Sequence, residues 1–161
     1  VNIEASGVNI MKFENYVPVK ENADIVPVTE KNFEEFKRLH DPVSNDMYWN
    51  SERLAEKYFS EENNWHLYLS RKDGKAAGCI YFVFVGEIME IFGIDFPNSR
   101  FDKAVMRELL IKSLNVSKKS GKVKYAYFFT ETEEEQSAAS EAGMEHLGDY
   151  GLFRKTLRKI Y

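Results

Sequence analysis

The sequence is poor in the features that define several classes of protein. Its single cysteine, Cys79, can form no disulfide within the chain, and no cluster of cysteine and histidine has the spacing of metal ligands. We therefore expect a reducing, cytoplasmic setting and no metal site. The longest apolar run, residues 79–85, is far shorter than the roughly 20 residues of a membrane-spanning helix, so we also expect no membrane partner.

An excess of positive charge is also absent. The 22 basic and 26 acidic side chains give a formal net charge of −4, which argues against binding nucleic acid or an anionic membrane mainly through phosphate groups. The chain does have length and apolar content, since 161 residues, 43% of them hydrophobic, suit one globular domain. Because the first residue is Val1 rather than methionine, we expect a processed chain or a piece of a longer protein.

Hydrophobic periodicity predicts the order of helices and strands along the chain. The first 22 residues are interpreted as an arm with one possible edge strand, because Pro18 cannot donate a backbone hydrogen bond to a neighbouring strand. The patterns that follow predict strands at residues 23–28, 65–70, 76–85, 88–96, 123–129 and 152–157, and helices near residues 32–41, 51–59, 105–117 and 132–143. The order is therefore strand, two helices, three strands, a long helix, strand, helix and strand.

Local signals predict several of the boundaries between these elements. Thr29 or Asn32 is expected to cap the first helix, Asn32 also begins a partial capping box, and Pro42 is expected to end this helix. Ser51 is expected to cap the second helix. Residues 72–75 contain the Asp-Gly pair of a tight hairpin turn, and residues 132–135 form a capping box for the last helix. These signals place short connections between the predicted elements.

The strand at residues 76–85 is apolar and aromatic on both faces. A strand that is buried on both sides needs helices on both sides of its sheet. The predicted fold class is therefore α/β, with a central sheet between two layers of helices.

Two local motifs add to the order of elements. They are the hairpin sequence at residues 72–78, and Gly143 and Met144 directly after an alanine-containing helix. Together with the order of elements over residues 23–157, they resemble the GNAT superfamily of acyl-CoA-dependent N-acyltransferases. The resemblance implies a mixed, mostly antiparallel sheet in a domain at residues 23–161, preceded by an arm or interdomain linker at residues 1–22. It also implies an N-acetyltransferase with acetyl-CoA as co-substrate and a small-molecule or peptide amine as acceptor.

In that superfamily the fourth and fifth strands splay apart, and the cleft between them admits the pantetheine arm of the co-substrate. The resemblance assigns the strand side of this cleft to the backbone of Ile94, Asp95 and Phe96. A loop at the start of the following helix holds the pyrophosphate, since helix N-termini offer N–H groups and a positive dipole end to an anion. In this sequence the loop consists of Arg100, Phe101, Asp102, Lys103, Ala104 and Val105.

This loop departs from the pattern of the superfamily. It keeps Arg100 but contains no glycine, and Lys103 and Val105 stand where small residues belong. Glycine lets a backbone approach phosphates closely and adopt positive φ, so we expect weakened or absent binding of acyl-CoA, or an altered pose. Lys103 offsets part of this loss as a counter-charge for phosphate.

Candidates for acid–base chemistry are few. Glu90 lies within an apolar strand, where a buried carboxylate suits the proton acceptor that an attacking amine needs; alternatively it faces solvent or pairs with a lysine. The tyrosine that often serves as the acid in this superfamily corresponds to Ala139 here. Tyr127 and Tyr150 are therefore the substitutes that the sequence offers.

Aromatic side chains point to an acceptor site. Tyr48 and Trp49 lie where the superfamily binds its acceptor, and an aromatic wall suits an amine, although core packing or a partner surface explains them equally well. The histidines His40, His66 and His146 are scattered along the sequence and are expected at surface or capping positions.

A second function fits the same sequence. A catalytically silent GNAT-like domain would pack against a second GNAT-like domain of a tandem protein, or against a second copy of itself in a homodimer. The glycine-free loop, the alanine at position 139 and the non-methionine start followed by an arm favour this alternative.

Overall fold

Residues 7–61 and 64–148 are described by the structure, a computed structural model, and they form a seven-stranded sheet with helices packed on it. The strands are β1 (Gly7–Lys12), β2 (Asp24–Pro27), β3 (Trp65–Lys72), β4 (Lys75–Val85), β5 (Ile88–Asp95), β6 (Tyr125–Thr130) and β7 (Glu145–Gly148). The helices are α1 (Phe33–Ser44), α2 (Ser51–Tyr58), α3 (Lys103–Ser120) and α4 (Glu133–Glu141). Short 3-10 turns lie at Phe13–Asn15 and Pro97–Ser99.

The strands lie in the order β2-β3-β4-β5-β6-β1-β7. β5 and β6 run parallel, and the other neighbouring strands of the described sheet run antiparallel. The mixed, mostly antiparallel sheet that the sequence predicts is confirmed.

Helices cover both faces of this sheet, as the apolar pattern of β4 predicted. On one face, Leu109 of α3 and Ala138 of α4 pack in a core that includes Phe82 of β4. On the other face, Phe36 of α1 and Leu54 of α2 pack in a second core against β3 and β4. Since burying a leucine or phenylalanine side chain contributes roughly 1.5–3 kcal/mol, both layers are held to the sheet by apolar contacts.

Several predicted turns and caps are confirmed. Asp73 and Gly74 have φ of 53° and 76°, the pair of left-handed conformations that a two-residue hairpin turn requires. Gly121 ends α3 at φ 68°, a conformation in which a side chain would be strained. Thr132 accepts a hydrogen bond from the backbone N of Glu135 at 3.1 Å, so the N-cap half of the predicted box is formed.

The end predicted for α1 is wrong, whereas its predicted start is confirmed. Pro42 lies inside the helix, which continues to Ser44, because a proline in the last turn removes a single backbone hydrogen bond. Asn32 is the N-cap residue of α1, as predicted, but its side chain makes no hydrogen bond to the first turn. Its Oδ1 instead accepts a hydrogen bond from the backbone N of Thr29 at 2.6 Å, which closes the preceding turn.

The predicted cap of α2 is displaced by one residue. Asn50 is the N-cap, and its side chain accepts a hydrogen bond from the backbone N of Arg53 at 2.9 Å. Ser51 is the first helical residue, and its hydroxyl donates to Asp41 Oδ1 at 2.5 Å. α1 and α2 are therefore linked by a side-chain hydrogen bond next to the segment that joins them.

The N-terminal arm was predicted to carry an edge strand, and this predicted position in the sheet is wrong. β1 is not an edge strand, because it pairs with β6 on one side and with β7 on the other. Val8 and Ile10 of β1 are 1% and 7% exposed, and Pro18 lies outside the strand, where its missing N–H costs the sheet nothing. Residues 7–12 thus belong to the sheet, whereas a domain boundary at residue 22 stays a prediction.

The end of the chain was predicted differently. β7 was not predicted, and the predicted strand at residues 152–157 and Tyr150 lie outside the described residues.

No helix in residues 7–61 and 64–148 combines the length and apolar character needed to cross a bilayer. Within the same residues, no three His, Cys, Asp or Glu side chains are grouped to hold a metal ion.

Candidate functional site

A gap opens in the middle of the sheet, between the two parallel strands. β5 and β6 pair from Ile88 opposite Tyr125 to Ile91 opposite Phe128. Beyond that point β5 continues beside β4, and β6 continues beside β1, without further pairing between β5 and β6 among the described residues. The edge of β5 at residues 92–95 therefore faces this gap.

A β-bulge in β5 accompanies the separation. Ile91 pairs with Phe82 of β4 and Gly93 pairs with Tyr81, so Phe92 is an extra residue on β5. A bulge bends the strand that carries it and increases its twist, and this bulge lies where the pairing of β5 with β6 ends. A Cβ on Gly93 would lie 2.2 Å from the Tyr81 hydroxyl oxygen, so the bulge is packed too closely for a side chain at this position.

Glu90 lies one residue before the last residue of the paired segment. It is 8% exposed, which rules out the solvent-facing alternative. In the register of the sheet it lies opposite Val83 of β4 on one side and Tyr127 of β6 on the other. Opposite residues project on the same face, so Glu90 and Tyr127 share the face that α1 and α2 cover.

Tyr127 is 8% exposed, like Glu90. Burial raises the pKa of Tyr127 above its ordinary value, with a smaller contribution from Tyr125. The phenol therefore keeps its proton at neutral pH, which a proton donor needs.

A wall of aromatic side chains lies on the same face. Trp49 packs on Trp65 with ring centroids 4.7 Å apart, and Trp65 packs on Phe92 at 5.1 Å. Tyr48 meets Trp49 edge-on at 5.0 Å and is 68% exposed. A cavity of about 450 Å³ opens beside Trp49, Trp65 and Val83. The four rings are called here the aromatic wall, and two of them, Trp49 and Trp65, line this cavity.

Trp65 and Phe92 were missed as members of this wall. Trp65 was predicted only as the first residue of a strand, which is correct, and nothing in the local pattern shows that Trp49 covers it. Phe92 contacts the wall because the bulge changes the direction of its side chain. A bulge within a run of apolar residues has no clear sequence signal.

The loop before α3 is occupied by its own side chains. Asp102 caps the helix, and its Oδ1 accepts a hydrogen bond from the backbone N of Val105 at 3.2 Å. The ammonium of Lys103 forms an ion pair with Glu141 of α4. Phe101 packs edge-on against Phe96 with ring centroids 5.5 Å apart. One helix N-terminal amide and one cation that an anion would use are therefore already engaged.

The side chain of Asp95, at the end of β5, is 7% exposed and bonds to other residues of the core. Its Oδ2 lies 2.8 Å from Nδ1 of His40, whose Nε2 lies 2.7 Å from the backbone O of Trp49. Cys79, a buried core residue, donates to the same carboxylate at 3.7 Å, and burial raises the pKa of its thiol. The carboxylate of Asp95 is therefore engaged by His40 and Cys79.

The histidines do not all lie where they were expected. His40 is 0% exposed, so its expected surface position is wrong. His66 stacks on Phe82, and burial, followed by the charge of Lys122, lowers its pKa to about 4. His146 is exposed, as expected.

The predicted site residues fall into three groups. Glu90 and Tyr127 lie together where the gap begins, and the aromatic wall with Tyr48 and Trp49 lies on the same face. The remaining predicted residues follow the gap to the start of α3: Ile94, Asp95, Phe96, Arg100, Phe101, Asp102, Lys103, Ala104 and Val105. Ala139, where a tyrosine was expected from the superfamily, is a fully buried core residue of α4.

Comparisons with known proteins identify the fold. No protein-family model matches the sequence, and no curated protein matches it. A putative acetyltransferase from the GNAT family of Novosphingobium aromaticivorans superposes with a TM-score of 0.62 at 16% identity, over 88% of this chain and 60% of that one. A GCN5-related N-acetyltransferase from Kribbella flavida superposes with a TM-score of 0.61 at 13% identity, over 91% of this chain and 58% of that one.

A third solved structure, AAC(6')-Iy in complex with the bisubstrate analogue CoA-S-monomethyl-acetylneamine, has a TM-score of 0.56 at 16% identity and covers 77% of this chain and 91% of that one. The chain thus spans about three fifths of the length of the first two structures. It has the fold of the GNAT superfamily, with seven strands and four helices in the described residues.

Proposed function

We propose that the protein transfers an acyl group from a pantetheine thioester of the coenzyme A type, usually an acetyl group, to a primary amine of a small molecule or peptide. The observation that carries this proposal is the edge of β5 at residues 92–95, which faces a gap inside the sheet directly beside Glu90 and Tyr127. A strand edge offers its backbone groups to any extended ligand with amide groups. The pantetheine arm is such a ligand.

The residues along the gap fit the pantetheine arm. Backbone groups of Ile94, Asp95 and Phe96 would hydrogen-bond the amides of this arm, in the way that they would bind a neighbouring strand. The same backbone N–H groups would polarise the thioester carbonyl. The thioester, when bound, supplies the activated acyl group. We therefore assign the strand side of the site to donor binding.

The loop before α3 does not fit a diphosphate in the usual way. Asp102 places a carboxylate at the helix N-terminus, and Lys103 is paired with Glu141, so an incoming phosphate meets repulsion and a neutralised cation. Arg100 is exposed and is the remaining cation of the loop. We infer that the donor is held mainly through its pantetheine arm and acyl group.

Glu90 and Tyr127 then have complementary roles. Glu90 accepts a proton from the acceptor's ammonium group, directly or through a water molecule. The neutral amine nitrogen attacks the carbonyl carbon, a C–N bond forms and the C–S bond breaks. Tyr127, whose raised pKa keeps it protonated, donates its proton to the departing sulfur.

The aromatic wall is the proposed acceptor site. Rings that present their faces to a cation attract an ammonium group by about 0.5–1 kcal/mol at exposed positions. Tyr48 already carries such a contact, because the guanidinium of Arg53 lies 4.6 Å from its ring centroid. Trp49, Trp65 and Phe92 would contact the body of the acceptor beside Glu90.

A thiol-release assay tests this function. Acetyl-CoA and acetyl-pantetheine are each offered with a panel of primary amines, including amino acids, polyamines and peptides. We expect turnover with at least one amine and a fall of kcat/KM of about 100-fold or more in Glu90→Gln, which removes the proton acceptor.

Glu87→Gln is the matched control. Glu87 lies in the β4–β5 turn, three residues from Glu90, and its side chain is 63% exposed. This variant is expected to keep the activity of the unaltered protein. Absence of turnover with every amine, or equal activity of the Glu90 and Glu87 variants, would contradict the proposal.

A second function, a silent domain that binds a second GNAT-like domain or a second copy, is favoured by the same occupied loop. It predicts no thermal stabilisation by either donor. It also predicts a stable complex with a second copy in sedimentation velocity, or with a preceding or following domain when the two are mixed. Thermal stabilisation by acetyl-pantetheine would contradict it.

A further inference from the structure

His40 joins the two sides of the candidate site. The residue lies in α1 and is fully buried. Its Nδ1 is 2.8 Å from the carboxylate of Asp95 at the end of β5, and its Nε2 is 2.7 Å from the backbone O of Trp49 in the aromatic wall. One ring therefore connects the strand that faces the gap with the segment between α1 and α2.

The partners of His40 determine its protons. A backbone oxygen can only accept, so Nε2 must carry a hydrogen to bond Trp49. The carboxylate of Asp95 likewise accepts, so one further proton is shared between Nδ1 and Oδ2. Loss of that proton leaves one N–H for two acceptors. The charged carboxylate of Asp95 is the stronger acceptor, so the hydrogen stays on Nδ1 and the contact with the Trp49 oxygen breaks.

The surroundings favour this doubly protonated ring. Burial opposes the charged form, but the hydrogen bonds to Asp95 and to the backbone of Trp49, with the charges of Asp95 and Asp41, raise the pKa of His40 above its ordinary value of 6.5. Tyr81 and Cys79 of β4 also face Asp95, and burial raises the pKa of both, so both stay neutral near pH 7.

Trp49 is well placed to transmit this state. Its ring lies 4.7 Å from that of Trp65, which in turn contacts Phe92 beside the bulge. A shift of the Trp49 backbone away from His40 would therefore carry one half of the aromatic wall away from the other half.

We propose that His40 and Asp95 form a buried clasp that positions the aromatic wall over β5, and that the clasp holds Trp49 only while the pair keeps its shared proton. His40 is then a positioning residue, which acts on the acceptor through Trp49. The effect on acceptor binding rests on the function proposed above, whereas the movement of Trp49 does not.

The first test needs no substrate. Trp49 and Trp65 are the two tryptophans of the sequence, so near-ultraviolet circular dichroism reports their packing. Between pH 5 and pH 10 we expect their signal to fall with one midpoint above 6.5, while the far-ultraviolet spectrum stays constant. Nitrogen-15 shifts of the His40 ring should show both nitrogens protonated at pH 6.

Variants sharpen the test. Asp95→Asn keeps an acceptor for Nδ1 but removes the charge, and it should move the midpoint down by at least about one pH unit, a tenfold change in proton affinity. His146→Gln, at an exposed histidine, should leave the midpoint unchanged. If Asp95→Asn does not fold, the titration and the nitrogen-15 shifts of the unaltered protein decide alone.

Activity provides a readout that a purely structural role would not move. As pH rises through the midpoint, KM for the acceptor should rise at least about tenfold, the effect of one lost charge-assisted hydrogen bond, while KM for the donor stays constant. A tryptophan signal that is constant over the pH range, or a His40 ring with one protonated nitrogen at pH 6, would overturn the clasp. Absence of turnover with a pH-dependent tryptophan signal would overturn the proposed function and leave the clasp in place.

Discussion

The two ends of the candidate site differ in how much of their binding capacity the fold itself uses. Along β5, residues 92–95 face the gap and have no partner on β6 among the described residues. At the start of α3, Asp102 caps Val105 and the ammonium of Lys103 pairs with Glu141. A sheet of this fold can therefore leave one strand edge unpaired while the adjoining helix N-terminus is engaged by the chain's own side chains.

The causes of the two states are different. The unpaired strand edge begins at a register shift at Phe92 of β5, where β6 continues beside β1 instead of β5. The occupied loop depends on single side chains, because one aspartate supplies the cap and one glutamate neutralises the lysine. Changes in packing should therefore disturb the unpaired edge of β5, whereas changes in charge should free the loop before α3.

The largest expected effect comes from disturbing the bulge. In Gly93→Ala the new Cβ meets the hydroxyl of Tyr81, which is 2% exposed and packed on His40 at 4.6 Å. Overpacking of this kind costs about 1–3 kcal/mol of unfolding free energy. A displacement of β5 by about 1 Å should lower kcat/KM about 100-fold, measured in the thiol-release assay.

Gly86→Ala is the matched control for that prediction. A Cβ on Gly86 meets nothing within 4 Å, although its φ of 59° makes the substitution cost about 1 kcal/mol of stability. We expect its kcat/KM to stay unchanged. Equal losses of activity in the two variants would show that stability, and not the shape of β5, determines the rate.

A smaller effect is expected from repairing the loop. Asp102→Ser keeps a hydroxyl that can cap the backbone N of Val105 and removes the carboxylate. Removal of about 1 kcal/mol of repulsion should tighten the Kd of coenzyme A about fivefold, measured by isothermal titration.

Pantetheine, which lacks the phosphates, serves as the control ligand for Asp102→Ser. Its Kd should not change. A change of the same size for both ligands, or for neither, would contradict the view that the carboxylate of Asp102 repels the diphosphate.

Much of the fold could be predicted from local patterns. The β3–β4 hairpin follows from an Asp-Gly turn between alternating residues, and α3 follows from apolar residues at helical spacing closed by Gly121. The position of β1 could not be predicted in this way. Its neighbours in the sheet, β6 and β7, lie more than 100 residues away in sequence, and no local feature of residues 7–12 indicates that they are its pairing partners.

The same distinction between local patterns and distant contacts applies to the candidate site. Glu90 and Tyr127 were selected from residue type and strand position, and their adjacency follows from the parallel register of β5 and β6. The clasp was missed because His40 and Asp95 are 55 residues apart and belong to different kinds of element. The occupied state of the loop depends on Glu141 of α4, a contact that the loop sequence does not contain.

The most direct test of the account is the Kd of acetyl-pantetheine compared with that of acetyl-CoA, both measured by isothermal titration under the same conditions. We expect values within about tenfold of each other, because a donor held mainly by its pantetheine arm gains less than about 1.4 kcal/mol from the diphosphate. A preference for acetyl-CoA of about 1,000-fold or more, about 4 kcal/mol, would show that the loop before α3 binds the diphosphate after all and would contradict the account.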